Sequence, residues 1–348
     1  MANSLLDVKL SIKCEVYDRL INDKELFFNL SENSKTKKNN DFLTTVIINT
    51  HEYKNRVKMI GDITDILLDK NNVLVSNNIS NHIRNMKDEK KAICDAKEIA
   101  TLITSSIYSI DYTVSNDTKI IHIKENESIR YKIDNIIAET QSLYRAQLLK
   151  NLFNEYLSYP LYIREEIIFL SNCLKLRDNI KNKAISYITT SKGRKIPLEV
   201  YGLIPGKYEN HLYVVGYFND GERRRAFSTK LCNITNIYTG KEYELSKEEI
   251  DSINNRLNSG AKWINDEIIT TRIKFDKDGL NLLRKIYTNR PTYVPINIDD
   301  NIYEFSSSIG QLFTYLITFG EHAVVLDDNE LKDRLIKRYT KALNAYVK

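Results

Sequence analysis

Five short strand candidates, closely spaced between residues 184 and 238, constrain the fold of this chain more than any other feature. They lie at residues 184–190, 197–203, 212–218, 223–229 and 232–238. Turn signals separate them, including Pro205-Gly206 and Asn219-Asp220-Gly221, whose Asp-Gly pair is a strong hairpin signal. Five short strands joined by tight turns favour a small closed β-barrel.

The first half of the chain contains one pattern twice. Val8, Leu10 and Ile12 alternate with Lys9, Ser11 and Lys13, which predicts a strand, and residues at helical spacing follow. A second strand candidate at residues 119–124, again followed by helical spacing, appears about 110 residues later. The sequence therefore predicts a duplicated strand–helix–helix unit. Residues 60–117, between the two copies, are expected to be mostly helical.

Positive charge is concentrated in the strand-rich region. The chain has 51 lysines and arginines against 46 acidic residues, a net charge of +5. Between Lys181 and Cys232, ten basic residues stand against four acidic ones, so this stretch accounts for the whole positive balance. A local excess of positive charge attracts phosphate groups, in a manner that weakens with salt.

No catalytic or metal-binding constellation is recognisable in the sequence. The four cysteines are far apart and include no CxxC pair, which fits reduced thiols and argues against a zinc site. The GxSxG, HExxH, GxGxxG and P-loop motifs are absent. We therefore expect no enzyme activity, no metal and no other cofactor. The absence of a long apolar run predicts a cytoplasmic protein that does not enter a membrane.

The strand-rich region resembles the WYL domain, an Sm-like or SH3-like barrel of bacterial regulators. Leu212-Tyr213-Val214 falls on the name-giving Trp-Tyr-Leu, with the tryptophan replaced. Glu199-Val200-Tyr201-Gly202-Leu203 is similar to the family's Pro-Tyr-Gly-Leu strand, with Val200 in place of proline. Thr229-Lys230-Leu231-Cys232-Asn233-Ile234 is similar to its Phe-Arg-Leu-Ser/Asp-Arg/Asn-Ile strand, with Lys230 in place of arginine.

The C-terminal segment resembles the extension that follows many WYL domains. Arg272-Ile273-Lys274-Phe275 matches its Arg-x-x-Phe strand, and Phe319-Gly320, Ala323-Val324-Val325-Leu326 and Glu330-Leu331 match the remaining pattern. The extension commonly mediates dimerisation in that family, so the resemblance implies a homodimer. Phe305 and Phe313-Thr314-Tyr315-Leu316 would supply the interface or, alternatively, ordinary core.

The N-terminal strand–helix–helix pattern resembles a ribbon-helix-helix. Its combination with a WYL barrel is similar to the WYL accessory proteins encoded beside type VI-D CRISPR effectors, which are RNA-guided RNA nucleases. That resemblance implies binding of single-stranded RNA and stimulation of the effector ribonuclease. The expected fold class is α+β, in three parts: a ribbon-helix-helix-like region at 1–160, a linker helix and WYL barrel at 161–245, and the C-terminal extension at 246–348.

The barrel supplies the first set of candidate nucleic-acid ligands. Arginines hold phosphates and stack on bases, and tyrosines offer stacking faces for unpaired bases. The alternative is that the tyrosines pack the barrel and the arginines pair with Glu199, Glu209 and Glu222. The predicted barrel residues are Lys192, Arg194, Tyr201, Tyr213, Arg223, Arg224, Arg225 and Lys230.

The ribbon supplies a second set, because antiparallel ribbon strands can enter the major groove of DNA. The outward-facing side chains are expected to be those of Lys9, Ser11, Lys13, Ile120, His122 and Lys124. Two lysines and a serine read bases poorly, so a purely structural ribbon is the alternative. Either interpretation requires the two strands to pair within one chain or across a dimer.

Three hypotheses for the function follow. The first is a non-catalytic RNA-binding accessory protein of a CRISPR ribonuclease. The second is a transcriptional repressor that binds operator DNA through the ribbon, with the barrel as sensor of a small ligand. The third is a nuclease or other enzyme.

Overall fold

The computed structural model describes residues 6–28, 38–56, 117–140, 142, 144–207, 211–219 and 223–347. The helical insert expected at 60–117 lies, apart from residue 117, outside the described residues. The chain divides into two compact units, residues 1–170 and 171–348. The finer boundaries expected at residues 160 and 245 stay predictions.

A two-stranded antiparallel ribbon is the first element of unit 1. Strand β1 (Leu6–Lys13) pairs with β2 (Thr118–Glu125) along its whole length, with Leu10 opposite Ile121. The buried side chains of one face include Leu10, Ile12, Ile121 and Ile123, so period-two alternation leaves the polar residues outward. The two copies of the predicted unit therefore pair within one chain.

Helices follow each strand, in the order that the sequence predicts. Helix α1 (Cys14–Phe28) and helix α2 (residues 39–56) follow β1. After β2 come α3 (Glu127–Thr140), α4 (Arg145–Ser158) and α5 (Leu161–Ile168). The strand–helix start is consistent with a ribbon-helix-helix-like arrangement. The helices bury one apolar stripe each, including Leu20, Phe27, Phe42, Ile133, Leu149, Phe153 and Tyr156.

Polar contacts across unit 1 join elements that are distant in sequence. The buried Asp23 of α1 accepts a hydrogen bond of 2.5 Å from Arg164 of α5. The side-chain amide of Asn40 donates to the carbonyl of Lys124 and accepts from its N–H, so α2 is attached to the ribbon. The first bond joins α1 to α5, and the second pair holds α2 against the ribbon.

The strand-rich part of unit 2 contains all five predicted strands. Helix α6 (Leu170–Lys181) leads into strands β3 (Ala184–Thr190), β4 (Lys195–Pro205), β5 (Leu212–Asn219), β6 (Arg224–Lys230) and β7 (Ile234–Glu242).

These strands form one antiparallel sheet in the order β6-β5-β4-β3-β7. The closed barrel expected from the sequence is not formed, because no ladder joins edge strands β6 and β7 within the described residues. Strand β7 pairs with β3 instead, after a short 3₁₀ turn at Leu231–Asn233.

The remainder of unit 2 is an α+β module, as predicted. Helix α7 (Lys247–Leu257) precedes a four-stranded antiparallel sheet with the order β11-β8-β10-β9. Its elements are β8 (Ile268–Phe275), α8 (Lys277–Lys285), β9 (Thr292–Asn297), β10 (Ile302–Ser308), α9 (Ile309–Leu316), β11 (Ala323–Val325) and α10 (Asn329–Tyr346).

The aromatic residues proposed for a dimer interface lie in the core of this module. Phe305, Tyr315 and Leu316 are fully buried, and Phe313 packs against the same cluster. Their apolar surface is already covered within one chain. These residues therefore belong to the core of the module and do not form a dimer interface. Among the described helices, none combines the length and the hydropathy needed to cross a membrane.

Candidate nucleic-acid interfaces

Arg224, the central arginine of the predicted basic run, is held in ion pairs. Its two terminal nitrogens donate to the two carboxylate oxygens of Glu199 at 2.7 and 2.6 Å, and the guanidinium also donates to Glu249. Glu249 is fixed in turn, because it forms a capping box with Ser246 at the start of α7. The hydrogen bonds that Arg224 donates to Glu199, and then those to Glu249, raise its pKa above the ordinary value.

This geometry corrects the assignment of Arg224 as a nucleic-acid ligand. The donors that would hold a phosphate are already occupied by two carboxylates in a bidentate geometry. The alternative of ion pairing therefore applies to Arg224, with Glu249 as an unforeseen partner. Glu209 and Glu222, the other partners considered, lie outside the described residues.

Replacing Arg224 with alanine is expected to affect stability rather than binding. The change leaves Glu199 and Glu249, both mostly buried side chains, facing each other without their shared cation. We expect a loss of about 1–2 kcal/mol in the free energy of unfolding, measured in urea. In a nucleic-acid binding assay the folded variant should stay within about twofold of wild type; a large loss of affinity with unchanged stability would return Arg224 to the interface.

Two other predicted arginines lie over one aromatic ring. The guanidinium carbon of Arg225 is 5.0 Å from the ring centroid of Phe218, and that of Arg194 is 5.6 Å from the same centroid. Arg225 is the cross-strand neighbour of Phe218, whereas Arg194 comes from the β3–β4 turn. Both arginines are exposed. We call Arg194, Phe218 and Arg225 the arginine cluster.

The arginine cluster is chemically suited to an anion. Cation–π contact with Phe218 orients both guanidiniums, and an arginine can hold a phosphate through its N–H groups. Lys192 is exposed in the same β3–β4 turn as Arg194, and Arg223 is exposed just before β6.

The two tyrosines predicted as stacking faces, Tyr201 and Tyr213, are both at least half-buried. Tyr213 is only 3% exposed and packs in a core cluster with Val215 and Tyr217, so its ring offers no face to a base. Tyr201 is half-buried against the same cluster, and its hydroxyl donates to Asn254. The packing alternative therefore applies to Tyr213. Lys230 is the cross-strand neighbour of Tyr213 and is half-buried.

The ribbon face has the side-chain arrangement that alternation predicts. Lys9, Ser11, Lys13, His122 and Lys124 are all exposed. Lys9 lies opposite His122 and Ser11 opposite Ile120 in the antiparallel register. The ribbon thus presents three lysines on one outward surface, a suitable contact for phosphates.

Two exposed tyrosines of the sheet were not among the predicted site residues. Tyr187 on β3 and Tyr238 on β7 are 44% and 61% exposed, and they are cross-strand neighbours. The exposure of Tyr187 could have been predicted from the alternation within residues 184–190, because this alternation places Tyr187 on the face opposite Ile188. Their proximity depends on the pairing of β3 with β7, which are separated in the sequence by three other strands.

Together the elements define an α+β protein with a strand–helix–helix pair in one unit and two antiparallel sheets in the other. No protein-family model matches the chain, and no curated protein matches it significantly. The fold is similar to that of a solved structure described as a CRISPR Cas-related protein. The TM-score is 0.70 at 19% identity, over 99% of this chain and 95% of that one.

A weaker match is proteasome accessory factor B/C (PafBC) of Arthrobacter aurescens. Its TM-score is 0.21 at 21% identity, over 49% of this chain and 26% of that one.

Proposed function

We propose that this protein binds nucleic acid without changing it chemically, as an accessory or regulatory protein of a CRISPR system. The observation that carries the proposal is the arginine cluster, in which two exposed guanidiniums from separate hairpins contact the ring of Phe218. The similarity of fold to a CRISPR Cas-related protein supports the CRISPR context. In the finer form of the proposal, the ligand is single-stranded RNA and the partner is a CRISPR effector ribonuclease.

The ribbon supports a second candidate, a repressor that binds operator DNA. Its two strands are already paired within one chain, with polar residues outward and apolar residues inward. A ribbon of this kind can enter the major groove. Lysines and one serine contact phosphates more readily than they discriminate bases, so this candidate predicts duplex binding with low sequence specificity.

A homodimer through the C-terminal extension is part of the proposal. Strand β9 lies at the edge of its sheet, and Val294 and Ile296 on this strand are exposed. Pro295 of this strand lacks an N–H group, so the candidate contact with a second copy is made by the two apolar side chains and not by a continuous strand ladder. This surface replaces the buried aromatic residues as the candidate contact.

The test compares fluorescently labelled single-stranded RNA, single-stranded DNA of matched sequence, and duplex DNA, each at two salt concentrations. We expect preference for unpaired strands, and an affinity that falls with salt with a slope of about 0.7 per phosphate contact on a log–log scale. The oligonucleotides should stay intact with Mg²⁺ present. Absence of binding would contradict the whole proposal, cleavage would contradict its non-catalytic part, and duplex preference would favour the ribbon.

A further inference from the structure

Tyr187 and Tyr238 form an exposed aromatic pair on the outward face of the strand-rich sheet. They are cross-strand neighbours in the β3–β7 ladder, so their Cβ atoms are within about 5.5 Å of each other. The residues flanking Tyr187 on β3, Ser186 and Ile188, are fully buried on the opposite face. Each ring keeps much of its surface in solvent, 44% for Tyr187 and 61% for Tyr238.

Both rings are positioned by neighbouring residues. A Cβ at Gly240 would come within 2.4 Å of Cε2 of Tyr187, so this ring lies directly against the bare backbone of β7. The side-chain amide of Asn236 donates a 2.8 Å hydrogen bond to the hydroxyl of Tyr238. A ring that is ordered before binding loses less conformational entropy when a ligand stacks on it.

Positive charge adjoins the tyrosine pair on the side of the β3–β4 turn. Thr189 lies opposite both Lys195 and Asn236, so these three residues form the next row on the face of the two tyrosines. Lys195 is exposed, as is Lys192 in the turn itself. The surface therefore joins two aromatic rings to two cations.

We propose that Tyr187 and Tyr238 form a stacking platform for the bases of an unpaired nucleic-acid strand, whose phosphates are neutralised by Lys195 and the adjoining turn. The proposal rests on the proposed nucleic-acid-binding function and names the class of ligand. A duplex hides its base faces, whereas an unpaired strand can place successive bases on aromatic rings. Stacking is indifferent to the sugar, so the platform accepts RNA and DNA strands of mixed sequence.

The test uses the full chain and a double variant, Tyr187→Ala/Tyr238→Ala. Its probes are unpaired RNA and DNA oligonucleotides that contain 2-aminopurine, and an abasic oligonucleotide of equal length. We expect the affinity of the variant for both base-containing strands to fall about tenfold or more. The wild-type protein should quench 2-aminopurine fluorescence, and the variant should not. Affinity for the abasic strand and the salt slope should not change, because no phosphate contact is removed.

Two further variants make the test specific. Tyr187→Phe/Tyr238→Phe keeps the rings and should bind within about threefold of wild type. Tyr131→Ala/Tyr144→Ala removes two other exposed tyrosines and should bind as wild type. Circular dichroism and urea unfolding establish that each variant folds.

Several outcomes would overturn the platform. Unchanged affinity of the alanine variant, beside a loss in a variant of the arginine cluster, refutes stacking while the proposed function stands. Absence of nucleic-acid binding by the wild-type protein refutes both. A change only in oligomeric state, measured by analytical ultracentrifugation, would assign the two tyrosines to a protein contact and refute the platform.

Discussion

Replacing Arg164 with methionine is expected to lower the free energy of unfolding by about 3–5 kcal/mol, because it leaves a buried carboxylate without its cation. Asp23 and Arg164 are nearly inaccessible to solvent, with side-chain exposures of 6% and 13%. The guanidinium also lies 5.9 Å from the ring centroid of the buried Tyr156. Methionine retains much of the packing volume of arginine, so the loss in the free energy of unfolding reports mainly the removal of the ion pair. Urea unfolding monitored by circular dichroism measures it.

The pH dependence of the unfolding free energy of Arg164→Met distinguishes an unpaired buried charge from a packing defect. Burial raises the pKa of Asp23 even beside Arg164, and removal of Arg164 raises it further. A folded-state pKa above the unfolded value gives stability that is present at low pH and is lost as pH rises through the folded pKa. The deficit of Arg164→Met should therefore be smaller at pH 4 than at pH 7.

A double variant serves as the control for that prediction. Asp23→Asn/Arg164→Met removes the charge together with its partner, so it should be more stable at neutral pH than Arg164→Met alone. Equal stability of the two variants at every pH would contradict the role assigned to the ion pair.

The strands of this protein could be predicted well from the sequence, because local chemistry determines them. Turn residues separate the five strands of the strand-rich sheet in unit 2, and each predicted strand of that sheet overlaps an observed one by most of its length. Alternation in β1 and β2 also gave the correct outward faces, since the period of a strand fixes which side chains share a surface. Closure of the sheet could not be predicted, because it depends on which edge strands meet.

The candidate site depended on contacts that are distant in sequence. Arg224 pairs with Glu199 and Glu249, each 25 residues away, and no local pattern relates them. The burial of Tyr213 depends on the residues packed against β5, among them Ile253 and Ile264. The WYL resemblance placed Tyr213 on a strand but did not show which face of the strand would be covered.

Replacing Arg194 and Arg225 together with alanine is expected to weaken binding of single-stranded RNA by about 10- to 100-fold at low salt. Each exposed guanidinium supplies one charge-assisted contact to phosphate in the proposed complex. Loss of two such contacts should also reduce the salt slope by roughly 1.4 on a log–log scale. Fluorescence anisotropy at several salt concentrations measures both quantities. Stability should change little, because both arginines are exposed.

The matched control removes the same charge from another surface of the same unit. Lys337 and Arg338 are exposed on α10, and Lys337→Ala/Arg338→Ala lowers the net charge by the same two units. If RNA were attracted only by the net charge of the protein, the two double variants would lose affinity equally. A selective loss in Arg194→Ala/Arg225→Ala, with the reduced slope, requires direct phosphate contact at the arginine cluster. Unchanged RNA affinity beside weakened duplex binding in Lys9→Ala/Lys13→Ala would instead move the function to the ribbon.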